Sequence, residues 1–271
     1  RKSFEADCTK RIHVQIFARG FEYKFLGLLR SDRHLIGVGD SERSQESLVF
    51  PLGTDVQGRG LFSRIVYGTR TSLSIGLVGV TLTLLIGVSL GAVSGYFGGF
   101  IDTLIQRSVE IVRAIPTIPI WLVLAGILPR DWGVLQIYFA ITIIISLFAW
   151  TDLARVVRGR FLSLREEDFV TAAMLSGARW QRIVFRHMLP SFYSHLIAAT
   201  TLAIPSMIIS ETALSFLGLG LRSPAISWGV LLQATQNVHS VALTPWLMIP
   251  AIPVIVVILA LNFMGDGLRD A

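Results

Sequence analysis

The sequence predicts an all-α integral membrane protein. Three observations predict this class: the chain is 52% hydrophobic, only 15% of its residues are charged, and its mean hydropathy is +0.63. A soluble domain is usually about 45–50% apolar with about 25% charge. In this setting the net charge of +6 indicates arginines and lysines in the inner loops of a membrane protein, rather than nucleic-acid binding.

Five stretches are long and apolar enough to cross a bilayer, which takes about 20 mostly apolar residues per helix. Their predicted bounds are 72–96, 104–128, 133–155, 190–215 and 244–264. Pro116 and Pro119 in the second stretch, and Pro250 and Pro253 in the fifth, predict kinks that serve either packing or a bend beside a pathway. In the first, Gly87, Gly91 and Gly95 lie on one helix face, which predicts a close approach to another helix.

Charge predicts the orientation of these spans. The connection between the third and fourth, residues 156–189 (the basic loop), holds a dense arginine cluster, which the positive-inside rule places on the cytoplasmic side. Alternation then places the loop 216–243 outside and the C-terminus inside. It also leaves residues 1–70 outside as an extracytoplasmic lead-in to a membrane domain at 71–266. Because that lead-in carries twelve basic residues, we expect a further span ahead of Arg1.

The sequence contains no motif for catalysis. The patterns G-x-x-x-x-G-K-[ST] and H-E-x-x-H are absent, and the G-x-S-x-G match at 87–91 lies inside an apolar run rather than between a strand and a helix, so the chain itself is not expected to hydrolyse ATP or to be an enzyme. One cysteine and five scattered histidines predict no metal site.

One acidic residue lies within a predicted span. Glu211, in MIISETALSFLG, falls toward the outer part of the fourth span, where an ionisable residue is a candidate functional group. It either lines a solute path or carries a proton, as in an ion-coupled secondary transporter or channel, or it pairs with a neighbouring helix or faces water near the end of the span.

Part of the basic loop, FVTAAMLSGARWQRIVFRHMLP (169–190), predicts two short helices. The first covers Phe169–Ser176, begins after an acidic run, and ends at Gly177 in a left-handed conformation. The second covers Arg179–His187 and is amphipathic, with its arginines on one side.

The spacing within this stretch resembles the EAA loop of ABC importer permeases, whose pattern is E-A-A, three residues, G, nine residues and I-x-L-P. Thr171 stands where the pattern has Glu, and His187 where it has Ile. The matching positions are Ala172, Ala173, Gly177, Leu189 and Pro190. Further stretches resemble the second-permease branch of the oligopeptide/dipeptide subfamily: PLGTDVQGRGLFSRIVYGTRTSLSIG, GYFGGFID, ETALSFLGLGL, SWG and NFMGDGLRDA. Residues 1–50 resemble that branch least.

The resemblance implies the six-span transmembrane domain of a type I ABC importer, in the plasma (inner) membrane of a bacterium or archaeon. It implies a heterodimer with a second permease, two cytoplasmic ATPase subunits that bind ATP and Mg²⁺, and an external solute-binding protein; this chain would hold no cofactor. Residues 169–190 would dock on an ATPase as a coupling helix, and the outer loop would lie near the binding protein. The solute stays open among peptides, opines, nickel chelates and oligosaccharides.

Overall fold

The chain divides into two units, Arg1–Ser63 and Arg64–Ala271. The computed structural model describes residues 13–25, 29–33, 36–38, 49–129 and 131–270. The domain boundary predicted from the sequence lies at 70, where the apolar run starts. The boundary between the two units lies earlier, between Ser63 and Arg64, inside the first turn of a long helix.

The first unit contains short antiparallel strands that the sequence analysis did not predict. Strand β1 (Val14–Ile16) pairs with β4 (Ile36–Val38), and β2 (Arg19–Phe25) pairs with β3 (Leu29–Arg33). The alternation of apolar and polar residues along β2 and the β-branched residues of β1 and β4 favour strands. These strands add a small β segment ahead of the helical unit.

Asp55 organises the turn that leads into the helices. Its Oδ1 accepts hydrogen bonds from the backbone N–H groups of Gln57 (2.8 Å) and Arg59 (3.0 Å), and its Oδ2 accepts one from the Arg59 guanidinium. Burial raises the pKa of Asp55, but the hydrogen bonds from Arg59 and Gln57 outweigh it and hold the pKa below its ordinary value. A carboxylate that closes the turn in this way sets the point at which the first helix begins.

The second unit is built from helices. The longer ones are α1 (Leu61–Phe97), α2 (Gly99–Ala114), α3 (Thr117–Ile127), α4 (Val134–Leu164), α7 (Tyr193–Phe216) and α10 (Ala251–Asp270). The shorter ones are α5 (Asp168–Leu175), α6 (Trp180–Arg182), α8 (Trp228–Leu232) and α9 (Val238–Leu243). A π-helical stretch, Ile183–Met188, and a 3₁₀ turn, Pro190–Phe192, join α6 to α7.

Four helical stretches in the described part of the chain are long and apolar enough to cross a membrane: Leu61–Phe97, Val134–Leu164, Trp180–Phe216 and Pro245–Arg269. The predicted span 72–96 lies inside α1, and the predicted span 133–155 occupies the first two thirds of α4. These helices continue past the apolar runs because charged residues are tolerated once a helix leaves the hydrocarbon core.

The predicted span 104–128 is divided between two helices, α2 and α3, which are bent by 84°. Pro116 stands at the break. Proline has no N–H, so the carbonyl of Val112 has no donor four residues on, and the residue before a proline is driven to an extended conformation. Ile115 adopts that conformation, with φ −83° and ψ 127°. Helices α2 and α3 therefore form either one broken span or a re-entrant segment.

The glycine face of α1 packs against α4. A Cβ added at Gly91 would lie 2.5 Å from the carbonyl oxygen of Ala154, and one added at Gly95 would lie 2.5 Å from Cβ of Phe161. A Cβ at Gly87 would touch Leu153. The interpretation of this glycine series as a close-approach surface is confirmed.

Candidate functional site

The predicted basic loop begins inside α4, which continues to Leu164, and its next element is the short helix α5 followed by a glycine stop. Gly177 has φ 75°, the left-handed conformation predicted for it. The N–H of Ala178 donates to the carbonyl of Ala173 (3.1 Å), and the N–H of Gly177 donates to that of Met174 (3.0 Å). These two bonds form a Schellman motif, in which Ala173 is the third residue from the helix end and Gly177 is the first residue beyond the cap. The spacing of Ala173 and Gly177 is therefore the spacing of a helix terminator.

The inner face of α5 is anchored in the core. Val170 is fully buried, and Ala173 and Ala178 pack beside it on a cluster that includes Phe161 of α4 and Ala92 of α1. Small side chains at Ala173 and Ala178 let the loop backbone lie close to these helices. A displacement of α5 would therefore move the ends of α1 and α4 with it.

The outer face of α5 is exposed and apolar. Leu175 is 84% exposed, and Phe169 and Met174 are about two-fifths exposed. Thr171, the position that departs from the EAA pattern, and Ala172 also face outward. Exposed apolar side chains gathered on one short helix are typical of a protein interaction site.

The second half of the loop returns to the membrane domain. Ile183 and Val184 are buried while Arg182 and Arg186 are exposed, as the amphipathic pattern predicts. The helical type differs from the prediction, since most of this segment is π-helical and the N–H of Leu189 donates to the carbonyl of Val184 (2.8 Å). Leu189 is half-buried against the same cluster as α5, and Pro190 is exposed at the start of the 3₁₀ turn.

An ion pair that the sequence analysis missed joins α2 to α4 near the basic loop. The Asp102 carboxylate accepts two hydrogen bonds from the Arg158 guanidinium (2.5 and 2.6 Å) and one from the hydroxyl of Ser94 on α1. Gln106 donates to the same hydroxyl (3.2 Å). We call Asp102 and Arg158 the clamp pair. An acid beside an apolar run was the available signal, but only the fold brings it to an arginine 56 residues away.

Glu211 is fully buried on α7 and holds the connection from α7 to α10. Its Oε1 accepts hydrogen bonds from the hydroxyls of Ser215 (2.7 Å) and Ser227 (2.9 Å). The Ser215 hydroxyl accepts from the N–H of Leu221, and that of Ser227 accepts from the N–H of Val230. Its Oε2 has no hydrogen-bond partner in the described part of the chain. The carboxyl group thus fixes the path of residues 215–230.

The same connection folds back onto α1. Trp228 is fully buried; its backbone N–H donates to the hydroxyl of Ser72, and its indole N–H donates to the carbonyl of Ile65. A Cβ added at Gly229 would lie 2.8 Å from the carbonyl oxygen of Thr212. These contacts favour the packing interpretation of Glu211, because the side chain supports a loop instead of facing open space.

Glu211 substitutions test this interpretation. Glu211→Gln keeps an acceptor oxygen for both serines, so we expect thermal stability and transport close to those of the unmodified chain. Glu211→Leu removes the acceptor and leaves the O–H groups of two buried serines with no group to donate to, which costs about 1–3 kcal/mol for each unsatisfied donor. Thermal unfolding and uptake measured on both variants check this; loss of all transport in a stably folded Glu211→Gln protein would favour a proton-carrying role.

A cavity of about 630 Å³ lies beside the break between α2 and α3. Residues of α1, α2, α3, α4 and α7 line it, including the hydroxyls of Thr83, Thr117, Thr200, Ser206 and Ser210. Arg113 and Asp152, which form a salt bridge with each other, also face it. A mixed apolar and hydroxyl lining of this size suits a small organic solute.

The predicted site residues fall into two separate places. Ala173, Leu189 and the Gly177 turn lie together in the basic loop, with Ala172 on its exposed side. Glu211 lies on α7 and is hydrogen-bonded to the α7–α8 connection, outside both the basic loop and the cavity lining.

Helices that surround a cavity, together with a short exposed loop helix packed on their ends, define a multi-pass permease. Residues 87–271 match the family described as "Binding-protein-dependent transport system inner membrane component". The chain belongs to that family.

Curated relatives agree with this assignment. The chain is 38% identical over 220 residues to the oligopeptide transport system permease protein OppC of Haemophilus influenzae, covering 81% of this chain and 68% of that protein. It is 39% identical to the dipeptide transport system permease protein DppC of Alkalihalophilus pseudofirmus, covering 81% of this chain and 70% of that protein.

Solved structures share the fold. The inward-facing MetNI methionine ABC transporter gives a TM-score of 0.60 at 19% identity, over 78% of this chain and 96% of that chain. An amino acid ABC transporter gives 0.52 at 15% identity, over 77% of this chain and 92% of that chain. The fold is that of a type I ABC importer transmembrane domain.

Proposed function

We propose that this chain forms one half of the translocation pathway of an ATP-driven importer of peptides or similar small solutes. The observation that carries the proposal is the construction of α5, whose inner face is anchored in the core while its outer face is apolar and exposed. The names of the relatives, which are peptide transport permeases, support the solute class.

The complete transporter has further chains. A second, related permease supplies the other half of the pathway, two ATPase subunits bind ATP and Mg²⁺, and a solute-binding protein delivers the solute. This chain supplies no nucleotide site, since its sequence lacks the phosphate-binding lysine motif. We place it in the plasma membrane of a bacterium or archaeon, with the basic loop and the C-terminus on the cytoplasmic side.

Packing supports a route from the ATPase to the pathway. A force on α5 reaches Phe161 of α4 through Val170, because a close-packed core transmits displacement. The clamp pair then links α4 to α2. Helix α2 ends at the Pro116 break beside the cavity. Residues 169–190 therefore act as the coupling element.

ATP-dependent uptake tests the proposal. The chain, its second permease and the ATPases are reconstituted in liposomes with the binding protein, and uptake of a labelled peptide is measured. We expect uptake only with ATP, Mg²⁺ and all partner chains. Uptake by this chain alone, driven by an ion gradient, would instead support the ion-coupled secondary transporter or channel that Glu211 suggested in the sequence.

Gly177 provides a test of the coupling element. Gly177→Val forces a β-branched residue into a left-handed conformation, which costs about 1–2 kcal/mol, although the space around a new Cβ is open. We expect the loop end of α5 to shift, so that the reconstituted complex still hydrolyses ATP but transports less peptide per ATP.

Gly177→Asn is the matched control, because asparagine tolerates the left-handed conformation better. The amount of peptide that Gly177→Asn transports per ATP should lie between the amounts for the unmodified protein and for Gly177→Val. Equal coupling in the valine variant and the unmodified protein would remove Gly177 from the mechanism.

A further inference from the structure

Two ion pairs join α2 to α4, and they differ in how firmly they are held. The clamp pair lies near the start of α2, and its side chains are 29% exposed at Arg158 and 16% exposed at Asp102. Arg113 and Asp152, which we call the cavity pair, lie at the other end of α2, 11 residues or about 16 Å farther along its axis. Their side chains are 40% and 77% exposed.

The cavity pair is held in place by few interactions other than its own salt bridge. In the described residues, neither Arg113 nor Asp152 makes another hydrogen bond or ion pair, whereas Asp102 is also bound by Ser94. Exposed ion pairs stabilise a protein by about 0–1 kcal/mol. Replacing the partner of Arg113 or of Asp152 by a charged group of a solute therefore costs little free energy.

The cavity pair also supplies the only charged side chains among the described residues that line the cavity. The remaining lining is apolar or carries hydroxyls, so a solute inside meets one cation and one anion side by side. Both residues fall within predicted spans, 104–128 and 133–155, and charged residues in spans that face a cavity are typical of a solute path. Arg113 offers a planar guanidinium suited to two-point binding of a carboxylate, and Asp152 offers an acceptor for an ammonium group.

We propose that Arg113 and Asp152 form a binding site for zwitterionic solutes in the cavity, with the carboxylate of the solute on Arg113 and its ammonium group on Asp152. The proposal rests on the proposed transport function. A solute that bears both charges replaces both halves of the internal salt bridge at once, so neither side chain is left unpaired. A solute with one charge leaves one of the two without a partner.

Chemically blocked dipeptides test the site directly. Binding of alanyl-leucine, N-acetyl-alanyl-leucine and alanyl-leucine amide is measured at pH 6.5 by saturation-transfer NMR on the purified permease–ATPase complex in nanodiscs, without ATP or binding protein. Arg113→Gln should weaken binding of the two peptides with a free carboxylate by at least about tenfold. It should not weaken binding of the amide, because Asp152 then has no competing partner. Asp152→Asn should weaken binding of the two peptides with a free amine and should not weaken binding of the acetylated one, because Arg113 is then free of its partner.

Matched variants separate binding from structure. Arg107→Gln neutralises an exposed ion pair with Glu110 on the same helix, outside the cavity, and should change nothing. Arg113→Lys should recover part of the carboxylate binding. Equal loss for all three peptides, or loss for none, would overturn the proposal. Uptake by the unmodified complex reports the transport function separately, so failure of one inference is distinguishable from failure of the other.

Discussion

Replacing Leu175 with aspartate should detach the chain from its ATPase and abolish ATP-dependent uptake. Leu175 is the most exposed apolar side chain of α5 and packs on nothing that the fold needs. In a docked complex it would be buried, and an aspartate there would lose its hydration without gaining a partner. Central apolar residues of an interface contribute about 2 kcal/mol or more, so affinity should fall by at least about thirtyfold.

Copurification measures this effect without relying on transport. The tagged chain is purified with its second permease, and the ATPase that remains bound is quantified after a wash. Val238→Asp is the matched control, because Val238 of α9 is 81% exposed but lies outside the basic loop. If Leu175→Asp retained as much ATPase as Val238→Asp, α5 would not be the docking helix.

Alanine at Gly91 and Gly95 together should destabilise the folded membrane domain strongly. A Cβ at Gly91 collides with the backbone of Ala154, and backbone cannot rotate away as a side chain can. A Cβ at Gly95 meets the Cβ of Phe161 and lies 2.8 Å from the carbonyl oxygen of Arg158. Overpacking costs about 1–3 kcal/mol at each site, so the double variant should lose about 2–6 kcal/mol.

Gly126→Ala and Gly159→Ala are the controls for this pair. Both glycines are helical, and a Cβ added at either meets nothing within 4 Å. Alanine is a better helix former than glycine, so these controls should be neutral or stabilising. Heating the purified protein and measuring the fraction that stays monodisperse compares all four positions. Equal melting of the Gly91/Gly95 variant and the controls would contradict the tight α1–α4 contact.

Periodic and local features were the most predictable parts of the sequence. The glycine series on α1 and the left-handed stop at Gly177 each depend on a few neighbouring residues, and the structure contains both. The helical membrane class followed from composition alone, because a bilayer admits few other spanning structures. The kink expected at Pro116 is present, where α2 and α3 are bent by 84°.

Features that join distant parts of the chain could not be predicted. The clamp pair joins residues 56 apart, and the Trp228–Ser72 bond joins residues 156 apart. No periodicity records such pairings, because they depend on how whole helices pack. Glu211 shows the difference clearly: its place within a span could be predicted from the sequence, but its serine partners 4 and 16 residues later could not.

The tight contact between Gly91 and Ala154 gives α4 the geometry of an unequal lever. Phe161, which lies on the proposed coupling route from α5, is seven residues after Ala154, and Ile141 is thirteen residues before it. At 1.5 Å per residue the two arms are about 10 and 20 Å long. If α4 tilts as a rigid rod, a 1 Å push at the loop end swings the far end by about 2 Å in the opposite direction. If the tilt pivots at this contact, the position of Gly91 sets the ratio between the displacements at the two ends of α4.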